Sequence, residues 1–204
     1  MRILVVGMGL IGGSICKSIK AATSHAVYGC DVQQAVLDDA IADGAIDDTG
    51  TMTDSTYDMI ILCLHQRIAI QMVQEALPKI PTGTILVDTC GLKGRMVRDL
   101  TYRCRKAGVR YVGTHPMAGR EKNGYYASIP NLFQNANLIV TPVDGTDEAA
   151  LDTVKELADQ MGFGKIVTAT PMWHDNMIAY TSQLAHVVSS SYVKDFCMDD
   201  ALSF

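Results

Sequence analysis

The hydrophobic positions of this chain alternate between two patterns. Short runs rich in β-branched residues predict strands, and each run is followed by a longer segment whose apolar residues recur at helical spacing. Several runs are apolar without alternation, as expected when helices cover both faces of a sheet. The predicted strands lie at 2–6, 26–30, 59–64, 84–88, 110–113, 137–141 and 165–168, and the predicted helices between them at 10–21, 33–43, 67–77, 92–107 and 146–161.

This alternation of strands and helices predicts the fold class. It is typical of an α/β protein with a doubly wound, mostly parallel Rossmann-type sheet. Residues 172–200 differ, because they contain no strand-like run and neither glycine nor proline, and they predict one long helix. We therefore expect the sheet domain to span residues 1–170 and the region at 171–204 to begin an all-α domain. Thr146 is expected to cap the helix over 146–161.

Composition and charge narrow the classes of function. The 204 residues are 48% hydrophobic and 19% charged, as in a soluble globular protein. A net charge of -5 and an isoelectric point near 5.4 argue against nucleic acid as a partner, so we expect a small molecule. No apolar stretch of about 18 residues occurs, which argues against a membrane span. Six cysteines without CxxC pairs or zinc-ligand spacing predict no metal site and favour a reducing cytoplasm.

A glycine motif follows the first predicted strand. Gly7, Gly9 and Gly12 form GxGxxG between the run ILVV and the helical pattern that begins at Leu10. In such a turn the first glycine permits the tight bend, the second lets backbone approach a pyrophosphate, and the third lets helix and strand pack closely. The free N–H groups at the helix start, including those of Leu10 and Ile11, then face the phosphates. The motif predicts a dinucleotide site.

An acidic residue closes the second predicted strand. Asp31 lies 19 residues after Gly12, where a carboxylate would accept hydrogen bonds from the adenine ribose hydroxyls. A carboxylate there would also repel a 2′-phosphate, so we expect NAD in preference to NADP. The alternative is that Asp31 only caps the helix that follows.

A glycine-rich loop with one histidine leaves the strand predicted at 110–113. It reads YVGTHPMAGREKNGYYAS over residues 111–128 and places His115 near the carboxyl edge of the sheet, where ligands of open α/β folds bind. An imidazole at that edge can accept a proton at neutral pH. From the residues alone, the alternative is a purely structural role for a single loop histidine before proline.

Four segments together carry a resemblance to a known family. GMGLIGGS, an Asp closing the second strand, GTHPMAGRE and HDNMIAYTSQLAH are similar to the motifs of prephenate dehydrogenase, including the arogenate and cyclohexadienyl dehydrogenases of tyrosine biosynthesis. The resemblance covers essentially the whole chain. It implies NAD-dependent oxidative decarboxylation of prephenate to 4-hydroxyphenylpyruvate, with His115 drawing a proton from the C4 hydroxyl as hydride leaves for NAD. It also implies a cytoplasmic homodimer formed through the helical region.

The last predicted helix carries the candidate substrate residues. Where relatives often read SHLPH this chain reads SQLAH, so Ser182 and His186 match and Gln183 replaces a histidine. The resemblance implies that Ser182, Gln183 and His186 lie in the substrate pocket. His174 and Asp175 also match the family motif, but a His-Asp pair at a helix start is interpreted as capping and interdomain packing.

The chain departs from the family pattern at two places. At DTCGLKG relatives carry a serine near the reacting hydroxyl where this chain has Gly91, so that contact has to come from backbone, water or a neighbouring hydroxyl such as that of Thr89. Lys93 matches the family lysine. Two alternatives stay open for it: contact with the ligand, or contact only with the sheet edge. No arginine follows Arg120 to pair with a substrate carboxylate, and we expect the sequence to be part of a longer protein.

Three other functions stay open at this point. The first is arogenate dehydrogenase, whose substrate differs from prephenate in carrying an amino acid side chain instead of a keto acid. The second is another dehydrogenase that acts on a β-hydroxy acid, although such an enzyme would lack GTHPMAG. The third is a non-catalytic dinucleotide-sensing module, which would bind NAD or NADH without producing NADH.

Overall fold

A computed structural model describes residues 1–54 and 57–194 of the chain. Its strands are β1 (Arg2–Val6), β2 (Ala26–Cys30), β3 (Asp48–Thr49), β4 (Met59–Leu62), β5 (Ile85–Asp88), β6 (Arg110–Pro116), β7 (Asn137–Val140) and β8 (Lys165–Thr168). Its α-helices are α1 (Leu10–Ala22), α2 (Gln34–Ala42), α3 (Gln66–Ala76), α4 (Gly94–Lys106), α5 (Glu148–Gln160), α6 (Pro171–Ile178) and α7 (Leu184–Lys194). Short 3-10 helices lie at Leu77–Lys79 and Tyr125–Ala127, and a π-helical turn, Ala179–Gln183, joins α6 to α7.

The strands form one sheet in the order β3-β2-β1-β4-β5-β6-β7-β8. Those from β3 to β6 are parallel, β7 runs antiparallel to β6, and β8 is parallel to β7. The order 3-2-1-4-5-6 is that of dinucleotide-binding Rossmann folds, in which ligands bind outside the carboxyl ends of the strands. The segments that follow β1, β4 and β5, together with the end of β6, therefore form the candidate ligand edge.

The core has two layers, one on each face of the sheet. In β1, Ile3 and Val5 pack into the layer that contains α1, α2 and α5, whereas Leu4 and Val6 pack into the layer that contains α3 and α4. Successive side chains of a strand point to opposite faces of the sheet, and all four are buried because helices cover both faces. This confirms the doubly wound arrangement and explains why the run is apolar without alternation.

β6 is longer than its parallel neighbour. The pairing of β5 with β6 ends at Asp88 and Gly113, and β6 continues to Pro116 by pairing with β7. The sequence predicts this strand only to residue 113, because glycine and proline are disfavoured in strands. His115 therefore lies on a strand, opposite Ile139, and not in a loop.

Two local features differ from the sequence predictions. The strand β3 is not predicted, because its two exposed residues carry no hydrophobic signal and it forms only by pairing with β2. The helix α5 is capped by Asp147, whose carboxylate accepts a hydrogen bond from the N–H of Ala150 at 2.8 Å. The expected cap, Thr146, instead accepts a hydrogen bond from the N–H of Val143 at 3.0 Å.

The long helix predicted over 172–200 is divided in the structure. α6 begins at Pro171, behind Thr170, whose hydroxyl accepts a hydrogen bond from the N–H of Trp173 at 3.2 Å. The π turn then separates α6 from α7, and residues 195–200 lie outside the described part of the chain. None of the helices described could span a membrane.

The segment 117–136 between β6 and β7 packs on α1. The Ser18 hydroxyl donates to the carbonyl of Pro130 at 2.6 Å, and the N–H of Ile129 donates to the Ser14 hydroxyl at 3.1 Å. Because β7 is antiparallel to β6, both ends of this segment lie at the same edge of the sheet. It thus connects the end of β6 directly to the first helix.

Candidate active site

The turn between β1 and α1 has the backbone shape that its glycines predict. Gly7 has a φ of +94°, which L side chains rarely adopt, and its N–H donates to the carbonyl of Cys30 at 2.8 Å. A Cβ on Gly12 would lie 1.9 Å from the carbonyl oxygen of Gly7, so only glycine lets α1 pack this closely. A Cβ on Gly9 would meet nothing within 4 Å. Gly9 therefore leaves open space in front of the turn.

The start of α1 offers free backbone donors. Gly9 is the N-cap and supplies no side chain, and the N–H of Gly13 donates to the carbonyl of Gly9 at 2.9 Å. The N–H groups of Leu10, Ile11 and Gly12 have no partner within the helix. Such a helix start attracts anions through its free donors and the helix dipole.

Asp31 lies beside this turn. Its Oδ2 accepts a hydrogen bond from the N–H of Met8 at 2.7 Å, and its Oδ1 accepts one from the N–H of Gln33 at 3.0 Å. The first bond holds the carboxylate against the glycine turn, and the second lies at the N-cap of α2. Each carboxylate oxygen accepts more than one hydrogen bond, so the capping contact leaves Asp31 able to bind further donors. Val32, which follows, is 98% exposed.

His115 faces the segment that follows β5. A Cβ on Gly91 would lie 3.6 Å from Nε2 of His115. Gly91 is exposed and the imidazole is partly buried, so Nε2 borders the open edge of the sheet. The hydroxyl of Thr89, the neighbour considered in place of a side chain at position 91, donates to the carbonyl of Leu62 in β4 at 3.0 Å and so can only accept a further hydrogen bond.

Two residues of α6 form a hydrogen-bonded chain with His115. Nδ1 of His115 lies 2.9 Å from Nε2 of His174, and Nδ1 of His174 lies 2.8 Å from Oδ1 of Asp175. The two rings meet edge to face, with their centroids 5.1 Å apart. Asp175 also accepts hydrogen bonds of 2.7 Å from the N–H groups of Lys93 and Gly94. It is a capping residue, as expected, although the helix that it caps is α4.

The contact between His174 and His115 is a feature of this site that the sequence does not predict. The two residues are 59 positions apart, and His174 is 2% exposed. The HD pair at the start of the last helix is the only signal in the sequence, and it indicates capping as readily as a functional contact.

A buried ion pair supports the strand that carries His115. Nζ of Lys93 contacts Oδ1 of Asp88 and the carbonyl of Thr114, and the side chains of Lys93 and Asp88 are both 0% exposed. The Tyr111 hydroxyl donates to Oδ2 of Asp88 at 2.6 Å. Of the two possibilities that the sequence leaves open for Lys93, the geometry supports contact with the sheet edge.

The surroundings keep the His115 ring neutral. Burial is the main cause of a pKa of His115 lowered to about 4; His174 and Lys93 act in the same direction, and Asp88 and Asp175 oppose them. At pH 7 the ring is therefore neutral, with a hydrogen on one nitrogen, and the other nitrogen can accept a proton. Although burial acts to raise it, the pKa of Asp175 is lowered, because the N–H groups at the start of α4 and His174 favour the carboxylate.

The candidate substrate residues lie near the junction of α6 and α7. Ser182 is partly buried within the π turn, a feature that is frequent at functional sites. Gln183 also belongs to the π turn and His186 to α7, but their side chains lie outside the described part of the structure.

The glycine turn and His115 share one edge of the sheet. β1, β4, β5 and β6 are consecutive neighbours, and at about 4.8 Å between strands the first and last are about 14 Å apart. A ligand lying along this edge could therefore contact both the glycine turn and the imidazole. Among the residues that the structure describes, no cluster of three or more acidic, histidine or cysteine side chains could hold a metal ion.

The strand order and the turn between β1 and α1 define a nucleotide-binding domain of the Rossmann class. The family described as prephenate dehydrogenase, nucleotide-binding domain, matches residues 15–168. The chain belongs to this family.

Known relatives extend the match to nearly the whole chain. Prephenate dehydrogenase of Bacillus subtilis (strain 168) is 30% identical over 198 residues, which are 94% of this chain and 52% of that protein. The chain thus spans about half the length of this relative.

Two solved structures have the same fold. The A. aeolicus prephenate dehydrogenase in complex with hydroxyphenyl propionate and NAD+ superposes with a TM-score of 0.86 at 29% identity, over 95% of this chain and 68% of that one. Synechocystis arogenate dehydrogenase superposes with a TM-score of 0.84 at 27% identity, over 97% of this chain and 72% of that one.

Proposed function

We propose that the chain binds NAD and contributes to the oxidative decarboxylation of prephenate to 4-hydroxyphenylpyruvate in tyrosine biosynthesis. Membership of the prephenate dehydrogenase family and the NAD+ complex of the A. aeolicus relative support this proposal. The observation that carries it is the position of His115, a neutral imidazole whose Nε2 borders the same sheet edge as the glycine turn.

The residues proposed to hold NAD fit a dinucleotide. The space in front of Gly9 and the free donors at the start of α1 suit a pyrophosphate, and the Asp31 carboxylate suits the ribose hydroxyls. When bound, NAD supplies the acceptor for the hydride. The proposed set is Gly7, Gly9, Leu10, Ile11, Gly12 and Asp31.

His115 is the proposed base. Its Nε2 takes the proton of the C4 hydroxyl while the C4 hydrogen leaves with its electron pair as hydride. The ring carboxylate leaves as carbon dioxide, and the electron pair of the broken carbon–carbon bond completes the aromatic ring. The C4 oxygen, which then carries the negative charge, takes the proton back from Nε2 and becomes the phenol of the product. A positioned base of this kind contributes about 10²- to 10⁴-fold in rate.

The helical region after Pro171 is proposed to begin a second domain that contacts the substrate and a second copy of the chain. Ser182, Gln183 and His186 are the proposed substrate contacts. Localisation in the cytoplasm follows from the same proposal, since the substrate is an intermediate of amino acid biosynthesis.

Arogenate is the second candidate substrate. The likeness to Synechocystis arogenate dehydrogenase favours it, because its TM-score is close to that of the prephenate enzyme. The two acids differ only in the keto or amino group of the side chain, so the same base and the same hydride acceptor would serve both.

The proposal is tested by following NADH absorbance with prephenate, with arogenate and without substrate. We expect NADH formation with one of the acids, and His115→Asn should abolish most of it while leaving the calorimetric affinity for NAD unchanged. His25→Asn, at a histidine before β2 and remote from this edge, is the matched control. NAD binding without NADH formation from either acid, both by this chain and by a longer protein that contains it, would instead favour a sensing module.

A further inference from the structure

The protonation of the His174 ring follows from its neighbours. Asp175 accepts hydrogen bonds from two backbone N–H groups, those of Lys93 and Gly94, and its pKa is lowered, so it is a carboxylate without a proton to donate. The nitrogen 2.8 Å away, Nδ1 of His174, must therefore be the donor in that contact. We take the buried His174 ring as neutral, and its other nitrogen, Nε2, is then bare and can only accept.

The protonation of the His115 ring follows in turn. Its Nδ1 lies 2.9 Å from the bare Nε2 of His174, and two bare nitrogens would repel each other at this distance. Nδ1 of His115 must therefore carry the hydrogen and donate it. Because the ring is neutral, its Nε2 has a free lone pair, and this is the nitrogen that borders Gly91 and the open edge.

We propose that His174 and Asp175 are positioning residues that hold His115 in the tautomer with the hydrogen on Nδ1. The chain of hydrogen bonds fixes the orientation of the His115 ring and leaves Nε2 free as the proton acceptor. The catalytic consequence rests on the proposed function, whereas the tautomer itself does not.

The anchoring of Asp175 makes this arrangement rigid. Its two oxygens cap α4, so the carboxylate is held by the main chain of a helix that packs in the core and not only by His174. Lys93 and Asp88, the other charged groups that act on the pKa of His115, form a buried pair with each other.

The tautomer can be measured directly by two-bond ¹H–¹⁵N correlation NMR of the imidazole rings. In the unsubstituted protein we expect a protonated Nδ1 and a bare Nε2 on His115. His174→Phe removes the acceptor and should shift His115 toward the tautomer protonated on Nε2. His174→Gln, whose side-chain carbonyl can accept in place of Nε2, should retain the original tautomer.

Kinetics give a second readout. His174→Phe should lower kcat by at least about 10-fold with little change in KM, because the base is misprotonated while the binding surfaces are intact. His174→Gln should recover most of the loss. A purely structural role would instead lower stability in both variants without changing the tautomer.

The result that overturns the proposal is a His115 ring protonated on Nε2 in the unsubstituted protein, or a tautomer that stays the same in His174→Phe. If the tautomer follows residue 174 while neither acid yields NADH, the positioning role stands and the proposed function fails. The two failures are therefore distinguishable.

Discussion

Lys93 and Asp88 form an ion pair from which solvent is completely excluded, directly behind the strand end that carries His115. Removing two charges from water costs several kcal/mol per ion, and that cost is offset only when every partner is in place. Here the carboxylate also accepts hydrogen bonds from the Tyr111 hydroxyl and the N–H of Cys90, and the ammonium also donates to the carbonyl of Thr114. The pair is thus the structural support of the site.

Replacement of Lys93 by methionine should destabilise the protein by about 3–5 kcal/mol, because it leaves the Asp88 carboxylate buried without its counter-ion. Urea unfolding followed by circular dichroism measures the change. Lys79→Met, at an exposed lysine, is the control and should change stability by less than about 0.5 kcal/mol. A Lys93→Met protein as stable as the control would show that the pair contributes nothing.

Two glycines of the turn between β1 and α1 have different expected roles: Gly12 in the packing of α1, and Gly9 in contact with the ligand. Gly12→Ala should lower stability by about 3 kcal/mol, since the new Cβ would overlap the Gly7 carbonyl. Gly9→Ala should unfold like the unsubstituted protein, because its Cβ meets nothing, yet it should weaken NAD binding by at least about 10-fold by filling the space proposed for the pyrophosphate. Calorimetry and thermal unfolding on both variants provide the test, and unchanged affinity in Gly9→Ala would contradict the placement.

Asp31→Ser should weaken NAD binding by about 10- to 100-fold, the effect of losing a hydrogen bond to a charged group. The affinity for NADP should fall less or rise, because the repulsion of a 2′-phosphate is removed. Titrations with both dinucleotides measure the ratio. Asp38→Ser, at an exposed position of α2, is the control, and an Asp31→Ser protein with the same NAD affinity would leave only the capping role.

The stability of the protein should depend on pH through His115. Its pKa is about 4 in the folded protein, against an ordinary value of 6.5, so between these values the unfolded chain binds a proton that the folded chain does not. Stability is therefore highest above pH 6.5 and falls as the pH decreases toward 4. Unfolding at pH 7 and at pH 5 should show a smaller loss in His115→Asn than in the unsubstituted protein. Equal losses would mean that the ring titrates normally.

The sequence predicts those parts of the fold whose signal is local. β1 is predicted with its observed bounds because Ile3 to Val6 are all buried, which requires an uninterrupted apolar run. β3 escapes prediction because Asp48 and Thr49 are exposed and owe their conformation to pairing with β2.

The same distinction applies to the site. The glycine turn is predictable because a positive φ at Gly7 and the close approach of Gly12 exclude other residues. The burial of Lys93 is not predictable, since lysine is usually exposed and Asp88 becomes its partner only in the folded sheet. The contact of His174 with His115 likewise depends on where α6 packs, which no local pattern specifies.

The reversal of β7 has a mechanical consequence. Because the chain turns back at the ligand edge, the segment that leaves the strand of His115 is bonded to α1, the helix whose first turn is proposed to meet the phosphates. A nucleotide that settles against that helix would thereby stiffen the backbone that holds the imidazole. Binding of a nucleotide at the start of α1 would then restrict the motion of His115, because the segment 117–136 joins α1 to the end of β6.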